Sequence, residues 1–398
     1  GRYLRPRYLG MRLVAAVVAA GCIARISLTD AALSSRTENS PAPPARAAPI
    51  PRVTVNLDLP PAERWVGVML ATVTRHGWEY TYGPVAAYLN ETLPPAVLNL
   101  IEDISGALET HGIPTEYAQE MRGIARAAAA VGHGREFGLR TVVAVNLLYE
   151  LTTACTSIVS ETVNGQIYHS RNMDWSFGGN SMRNLTALVD FQRGGTTVYQ
   201  TVTWLGYVGG LSAMRHTPGK GGWSVTVDER STSDVLAPLE AVVRIWKGTA
   251  TPIGMLVRDA LTANADYTSA MAHLSTTPIA NAVYYIVAGS KAGEGAVITR
   301  DANKTGVDVW ALPNGPKPWF ILETNYDHAK DPPKGDDRRD IATAAMERMG
   351  QGGISRDHLM GVMETPGTSS SRGVFNDITV YTIIMSATTG HFDGVTWR

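Results

Sequence analysis

Disulfide bonds can hold little of this chain together, because it has two cysteines, Cys22 and Cys155, among 398 residues. Neither sign of charge dominates. Lys and Arg number 35 against 36 Asp and Glu, for a formal net charge of −1, and no long basic run occurs, so nucleic acid is not expected as a partner. Metal-ligand spacings such as CxxC or HExxH are missing, and neither metal nor cofactor is expected. The apolar run from Leu13 to Ala24 is too short to span a bilayer. Coming after Met11-Arg12, it has the form of a cleaved signal. The residues before Met11 do not suit a signal, so residues 1–35 are expected to be a signal-peptide region with an upstream extension.

Removal of that segment would leave Cys155 as the one thiol, with no disulfide partner. A chain made for an oxidising compartment usually pairs its cysteines or lacks them, so an unpaired thiol is a candidate reactive group. The alternative is a small buried hydrophobe. Asn90-Glu-Thr, Asn184-Leu-Thr and Asn303-Lys-Thr are acceptor triplets for N-glycosylation and fit passage through the secretory route.

At 44% hydrophobic residues the chain can bury a sizeable core. Its one linker-like stretch is the Pro/Ala-rich region of residues 36–51, expected to be extended and mobile. One large folded unit should follow from Arg52. Val53 to Leu59 alternates as a half-buried strand does. Helical patterns then run over Ala62–His76, Val85–Thr110, Thr115–Val131 and Phe137–Leu151. Beyond Cys155 the period changes to two, with strands expected at 156–161, 166–173, 185–191, 197–204, 223–227, 282–288, 295–299 and 319–324. Further helices are read at 235–247, 253–263, 267–274, 336–349 and 355–363, before a last strand pair near 378–385. Helices, then many strands, then helices again indicate an α+β layered fold with antiparallel sheet.

Asn164-Gly165 is a strong hairpin signal, since both residues tolerate the positive φ of a type I′ turn. A two-residue loop there pairs residues whose numbers sum to 329, which places Asp174 opposite Cys155. Arg171 then points to the other face, and bringing both groups to Cys155 requires a bulge or bend near Asn172-Met173.

Cys155-Thr-Ser-Ile-Val159 followed by His169-Ser-Arg-Asn-Met-Asp-Trp175 resembles the start of the catalytic subunit in the acid ceramidase and N-acylethanolamine acid amidase family. The resemblance extends to residues 55–65, 206–209, 293–300, 323–328 and 336–339, nearly the whole mature chain. It implies an N-terminal nucleophile hydrolase: an αββα sandwich of antiparallel sheets with a largely helical N-terminal subunit. The precursor would cut itself between Ala154 and Cys155, giving an alpha subunit of residues 52–154 and a catalytic beta subunit of residues 155–398. The freed amine of Cys155 would then serve as base for its own thiol, with a reference pKa of about 7.7–8.0 that needs little tuning.

By the same resemblance, Arg171 orients substrate, Asp174 is the carboxylate beside the amine, and Asn325 helps form an oxyanion hole. Glu229 and Arg338 complete the expected catalytic set. Each has an ordinary alternative: an Arg171–Asp174 ion pair, a turn at Asn325, a solvated strand end at Glu229, and helix-start charges at Asp336-Asp337 beside Arg338. His169 reads as a sheet residue outside the mechanism. Gly206-Tyr-Val-Gly-Gly210 is either a turn or a close backbone approach to substrate.

The substrate so implied is a fatty-acid amide lipid, met at a membrane surface or lipid vesicle, in a lysosomal enzyme. Ceramidases of the family carry additional cysteines, some near the C terminus, that this chain lacks; the ethanolamide branch is therefore favoured over ceramide. Residues 96–108 and 235–246 are apolar enough to form interfacial helices, although such faces are more often packed in a core. A non-catalytic secreted binding protein that never matures is the reading from another class.

Overall fold

The computed structural model describes residues 47–93, 95–107, 112–147, 154–175, 180–230, 237–302 and 307–397. The segment before the thiol is helical, with α1 (Val66–His76), α2 (Tyr82–Thr92), α3 (Pro95–Gly106), α4 (Thr115–Ala130) and α5 (Leu139–Leu147). The long helix expected from Val85 is two helices, α2 ending at Thr92 and α3 beginning at Pro95. A proline lacks the backbone N–H a continuing helix would use, but sits well at a first helical position. The last residues of the expected helix to Leu151 lie outside the described residues.

Two sheets carry the rest. The six-stranded sheet contains β1 (Ala47–Pro49), β3 (Ala154–Glu161), β4 (Ile167–Asp174), β12 (Phe320–Glu323), β13 (Thr379–Ser386) and β14 (His391–Trp397), in the order β1-β14-β13-β4-β3-β12. The eight-stranded sheet contains β2 (Arg52–Asn56), β5 (Thr186–Arg193), β6 (Thr196–Trp204), β7 (Ser212–Thr217), β8 (Gly221–Glu229), β9 (Val283–Ala288), β10 (Gly295–Arg300) and β11 (Val307–Ala311), in the order β11-β10-β9-β8-β7-β6-β5-β2. Neighbouring strands are antiparallel except β2 and β5. α8 (Ile253–Ala263) and α9 (Tyr267–Thr276) pack on the outer face of the eight-stranded sheet, while α10 (Arg338–Met349) and α11 (Arg356–Met363) cover the six-stranded one. The result is the expected αββα sandwich. Two short elements complete it: α6 (Asn180–Leu185) and α7 (Ala237–Trp246).

Side-chain alternation explains how the layers meet. In β3, Ile158 joins Phe320, Leu322 and Leu359 under the helices, whereas Val159 joins Ile286, Val297 and Ile321 between the sheets. Odd-numbered residues of β3 thus face the opposing sheet. Cys155 is one of them.

Of the expected linker, residues 36–46 lie outside the described residues, and its last residues join a sheet. Ala47–Pro49 pairs with Val395–Trp397 as an edge strand, and Ile50 is buried. Edge position is where a strand tolerates proline. Of the two apolar helices, Ile101 and Ile104 of α3, and Ala241, Val242 and Ile245 of α7, are buried in the core. No helix among the described residues is long and apolar enough to cross a membrane.

Candidate active site

The hairpin that presents Cys155 has a three-residue loop, not a two-residue one. Thr162 N donates to Gln166 O at 2.9 Å and Gly165 N to Thr162 O at 2.9 Å, with Gly165 at φ 79°. A single glycine in the left-handed region closes such a loop. Partner numbers consequently sum to 328: Cys155 faces Met173, Ser157 faces Arg171, and Asp174 faces Ala154. The expected Cys155–Asp174 pairing is wrong by one residue, and a one-residue slip exchanges faces. Arg171 therefore shares the inter-sheet face with Cys155, without the bend expected near Asn172-Met173. The irregularity lies one strand away, between Thr379 and Tyr381 of β13.

Cys155 is fully buried, and its two reactive atoms are held from opposite sides. On the inter-sheet side, Arg171 NH2 donates to Sγ at 2.8 Å and to Val227 O at 2.7 Å. Arg171 NH1 donates to Leu211 O and Ser212 Oγ, both at 2.6 Å. Met173 Sδ lies 3.8 Å from the thiol. Burial pushes the Cys155 thiol up to about 12, a rise that the neighbouring Arg171 guanidinium opposes. A thiolate here needs both that cation and a base.

On the other side, Cys155 N donates to Asn325 Oδ1 at 2.8 Å, and Arg338 NH2 donates to the same oxygen at 3.0 Å. Asn325 Nδ2 donates to the main-chain oxygen of Glu229 at 2.9 Å. With two donors on one end and a carbonyl on the other, the orientation of this amide is fixed. Asn325 thus holds the nitrogen of Cys155 through its oxygen, while its NH2 is bonded to Glu229 O.

Arg338, at the start of α10, ties the site together. It donates through NH1 to Cys155 O at 2.8 Å, lies 3.6 Å from Asp174 Oδ2, and is gripped by Asp336 through Nε at 2.6 Å and NH2 at 2.7 Å. Asp336 serves this guanidinium, not only the helix dipole. Asp174 accepts from Thr379 Oγ1 at 2.7 Å and Asn376 Nδ2 at 3.0 Å. Burial raises its pKa, while Arg338, Thr379 and Asn376 pull it down.

Five expected residues thus converge: Cys155, Arg171, Asp174, Asn325 and Arg338. Glu229 enters through its carbonyl, and its half-buried side chain sits at the end of β8. The Gly206–Gly210 segment is a turn held from α5, where Asn146 Nδ2 donates to Gly206 O at 3.0 Å and Asn146 Oδ1 accepts from Val208 N at 2.7 Å. Of the acceptor triplets, Asn90 is exposed on α2, Asn184 donates its amide to Tyr80 O at 2.9 Å, and Asn303 lies outside the described residues.

Sequence reasoning missed Asp228 and Glu323. Both are fully buried, with burial raising Asp228 to about 7 and Glu323 to about 8. Their signal was present but ambiguous: Ser224, Thr226 and Asp228 alternate as a polar strand face, which without the second sheet reads as solvent-exposed.

These two acids predict a pH dependence of stability. Their folded pKa values exceed the ~3.9–4.3 of unfolded carboxyls, so the folded state binds more protons between about pH 4 and 8. The stability they contribute is complete below that window and falls as pH rises through about 7 and 8. Thermal unfolding should occur several °C higher at pH 5 than at pH 8.5, a shift of the size expected for ~1–2 kcal/mol. A midpoint that stays level or rises over this range would contradict the assignment.

Comparison with known proteins agrees with this architecture. A family model described as the beta subunit of N-acylethanolamine-hydrolyzing acid amidase matches residues 48–113. An N-acylethanolamine-hydrolyzing acid amidase of Rattus norvegicus is 35% identical over 337 residues, 85% of this chain and 86% of that protein. An acid ceramidase of Pan troglodytes is 32% identical over 369 residues, covering 89% and 87%. Among solved structures, the Caenorhabditis elegans N-acylethanolamine-hydrolyzing acid amidase ortholog superposes with a TM-score of 0.51 at 31% identity, covering 59% of this chain and 93% of that one. With its thiol at the head of a strand between two sheets, and relatives of this identity along most of its length, the chain belongs to the N-acylethanolamine-hydrolyzing acid amidase and acid ceramidase family.

Proposed function

We propose that this protein is made as an inactive precursor, cuts itself between Ala154 and Cys155, and then hydrolyses the amide bond of N-acylethanolamines to fatty acid and ethanolamine. The supporting observation is the two-sided grip on Cys155, with Asn325 Oδ1 on its nitrogen and Arg171 on its sulfur, each at 2.8 Å. In the precursor the thiol attacks the Ala154 carbonyl carbon, the peptide nitrogen takes a proton and leaves, and water cleaves the resulting thioester. The nitrogen then becomes a primary amine at the position Asn325 already fixes.

In the cut enzyme that amine removes the thiol proton, and the thiolate, paired with Arg171, attacks the lipid amide carbonyl. The amine passes its proton to the departing ethanolamine nitrogen, leaving an acyl thioester for water to hydrolyse. Asp174 acts through Arg338, whose charge keeps the amine from binding its proton too tightly.

Preference for the ethanolamide rests on relatives bearing that name and on the scarcity of cysteine. An acidic, lysosome-like compartment with lipid vesicles as the substrate source is part of this reading. The test is acid incubation of the purified chain with mass and N-terminal analysis, followed by side-by-side assays of N-palmitoylethanolamine and ceramide. A fragment beginning at Cys155 and faster turnover of the ethanolamide are expected. Absence of the cut would leave the binding-protein reading, and faster ceramide turnover would reassign the substrate.

A further inference from the structure

Beneath Cys155 the two sheets enclose a directional chain of hydrogen bonds that ends on Asp228. Ser157 Oγ donates to Asp228 Oδ1 at 2.8 Å, and Thr226 Oγ1 donates to Ser157 Oγ at 2.8 Å. His169 Nε2 is 2.9 Å from Thr226 Oγ1, and His169 Nδ1 is 3.0 Å from Ser224 Oγ. Because the Thr226 hydroxyl is spent on Ser157, Nε2 must carry the His169 proton and Nδ1 must accept from Ser224. The imidazole stays neutral, since burial and the Arg171 charge lower it to about 3. All five side chains are buried to within 1%.

Asp228 Oδ1 also lies 3.9 Å from Arg171 Nε, on the guanidinium that donates to the thiol. Its second oxygen, Oδ2, has no hydrogen-bond partner among the described residues, and neither has Glu323 Oε2. Glu323 is opposite Ser157 in register, on the other side of the same pocket of buried charge. The Asp228 charge raises Glu323 further, so ionisation of one carboxyl opposes ionisation of the other.

We propose that Asp228 is a positioning residue of this site: ionised, it draws the Arg171 charge away from Cys155, and protonated, it releases that charge to the sulfur and the reacting carbonyl. The proposal deepens the amidase reading and rests on it. Among the described residues Arg171 is the cation that bonds the nucleophile and pairs with this carboxyl, so the state of Asp228 reaches the sulfur through that guanidinium. Burial holds Asp228 near neutrality, which puts the change where an acid compartment differs from a neutral one.

The other titratable groups facing Asp228 are consistent with this. Cys155, Arg171 and His169 face it from β3 and β4, Glu323 from β12, Tyr284 as its cross-strand neighbour in β9, and Tyr381 from β13. Asp174 and Arg338 act from beyond the six-stranded sheet. Of these, Asp228 and Glu323 are the ones held near neutral pH.

The test compares the pH profiles of self-cleavage and of kcat, with KM read separately, in wild type and Asp228→Asn. Asparagine keeps the acceptor for Ser157 but cannot ionise. The ratio of rate at pH 7.5 to rate at pH 5 should rise at least tenfold in the variant, and Asp228→Glu should restore the fall toward neutral pH. A profile superimposable on wild type would overturn the proposal. Should Asp228→Asn fail to fold, Ser157→Ala removes one donor that favours the carboxylate and should move the neutral-side limb to higher pH; an unmoved limb would overturn it equally. Wild-type protein that never cuts at Cys155 would instead refute the amidase reading.

Discussion

Cys155→Ala will remain a single uncut chain in acid and will show no amide hydrolysis. The loss should be at least about 10⁴-fold, the scale seen when the nucleophile of a covalent hydrolase is removed. Two reactions vanish together because one atom performs both. The substitution should be mild for the fold: Cys155 is buried beside Met173, and alanine leaves a gap of roughly one sulfur atom. Cys155→Ser separates the two roles further. A hydroxyl also donates to the space in front of Arg171, but it is a weaker nucleophile at the same burial. Intact-mass measurement over an acid time course, beside hydrolysis assays, reads both. Residual cutting at the same bond in Cys155→Ala would mean that another group, or a contaminating protease, opens the chain.

Glu120→Ala should be among the most destabilising single changes, at about 3–5 kcal/mol, the cost of stranding a buried charge. Glu120 is fully buried on α4, before the proposed cut, and its carboxylate meets Arg258 on α8, after it, with NH1–Oε2 at 2.6 Å and NH2–Oε1 at 3.0 Å. Arg64 NH1 at 3.0 Å and Trp65 Nε1 at 2.7 Å complete the acceptor. Arg258 also donates to Val208 O at 2.7 Å and lies over the rings of Tyr117 and Phe191 at 4.8 and 4.7 Å. Loss of Glu120 leaves that guanidinium with no carboxylate. Without a disulfide, this ion pair is a principal polar bond between the two pieces. Denaturant midpoints of the uncut protein, and gel filtration after cutting, should show lower stability and separated pieces. A midpoint within error of wild type would show that Arg258 finds another partner.

Much of this was legible in the sequence, and the reasons differ by element. Period-two patterns located β3, β4 and β13 because their faces differ in chemistry, and the helix at Ile253–Ala263 was read to its ends because Pro252 and Asn264 bound it. The register of the β3–β4 hairpin was not legible, since Asn-Gly serves a two-residue loop and, with Val163, a three-residue one. That single residue decided whether arginine or aspartate shared the thiol's face. Asp228 and Ser157 drew no notice for a related reason: a polar strand face looks wet until the sheet that covers it is known. Arg338, the least persuasive residue in the sequence, touches the most of the site, because contacts across some 180 positions leave no local pattern.

The short strands β1 and β2 each form one edge of a sheet, β1 beside β14 and β2 beside β5, and both precede the proposed scissile bond. If the chain is cut as proposed, the segment that becomes a separate polypeptide caps the other piece against self-association. Stripped of residues 47–56, the catalytic piece would present two unpaired strand edges, the usual templates for aggregation. Expressing that piece alone is accordingly a poor route to active enzyme: it needs its severed partner as a built-in chaperone for as long as it stays in solution.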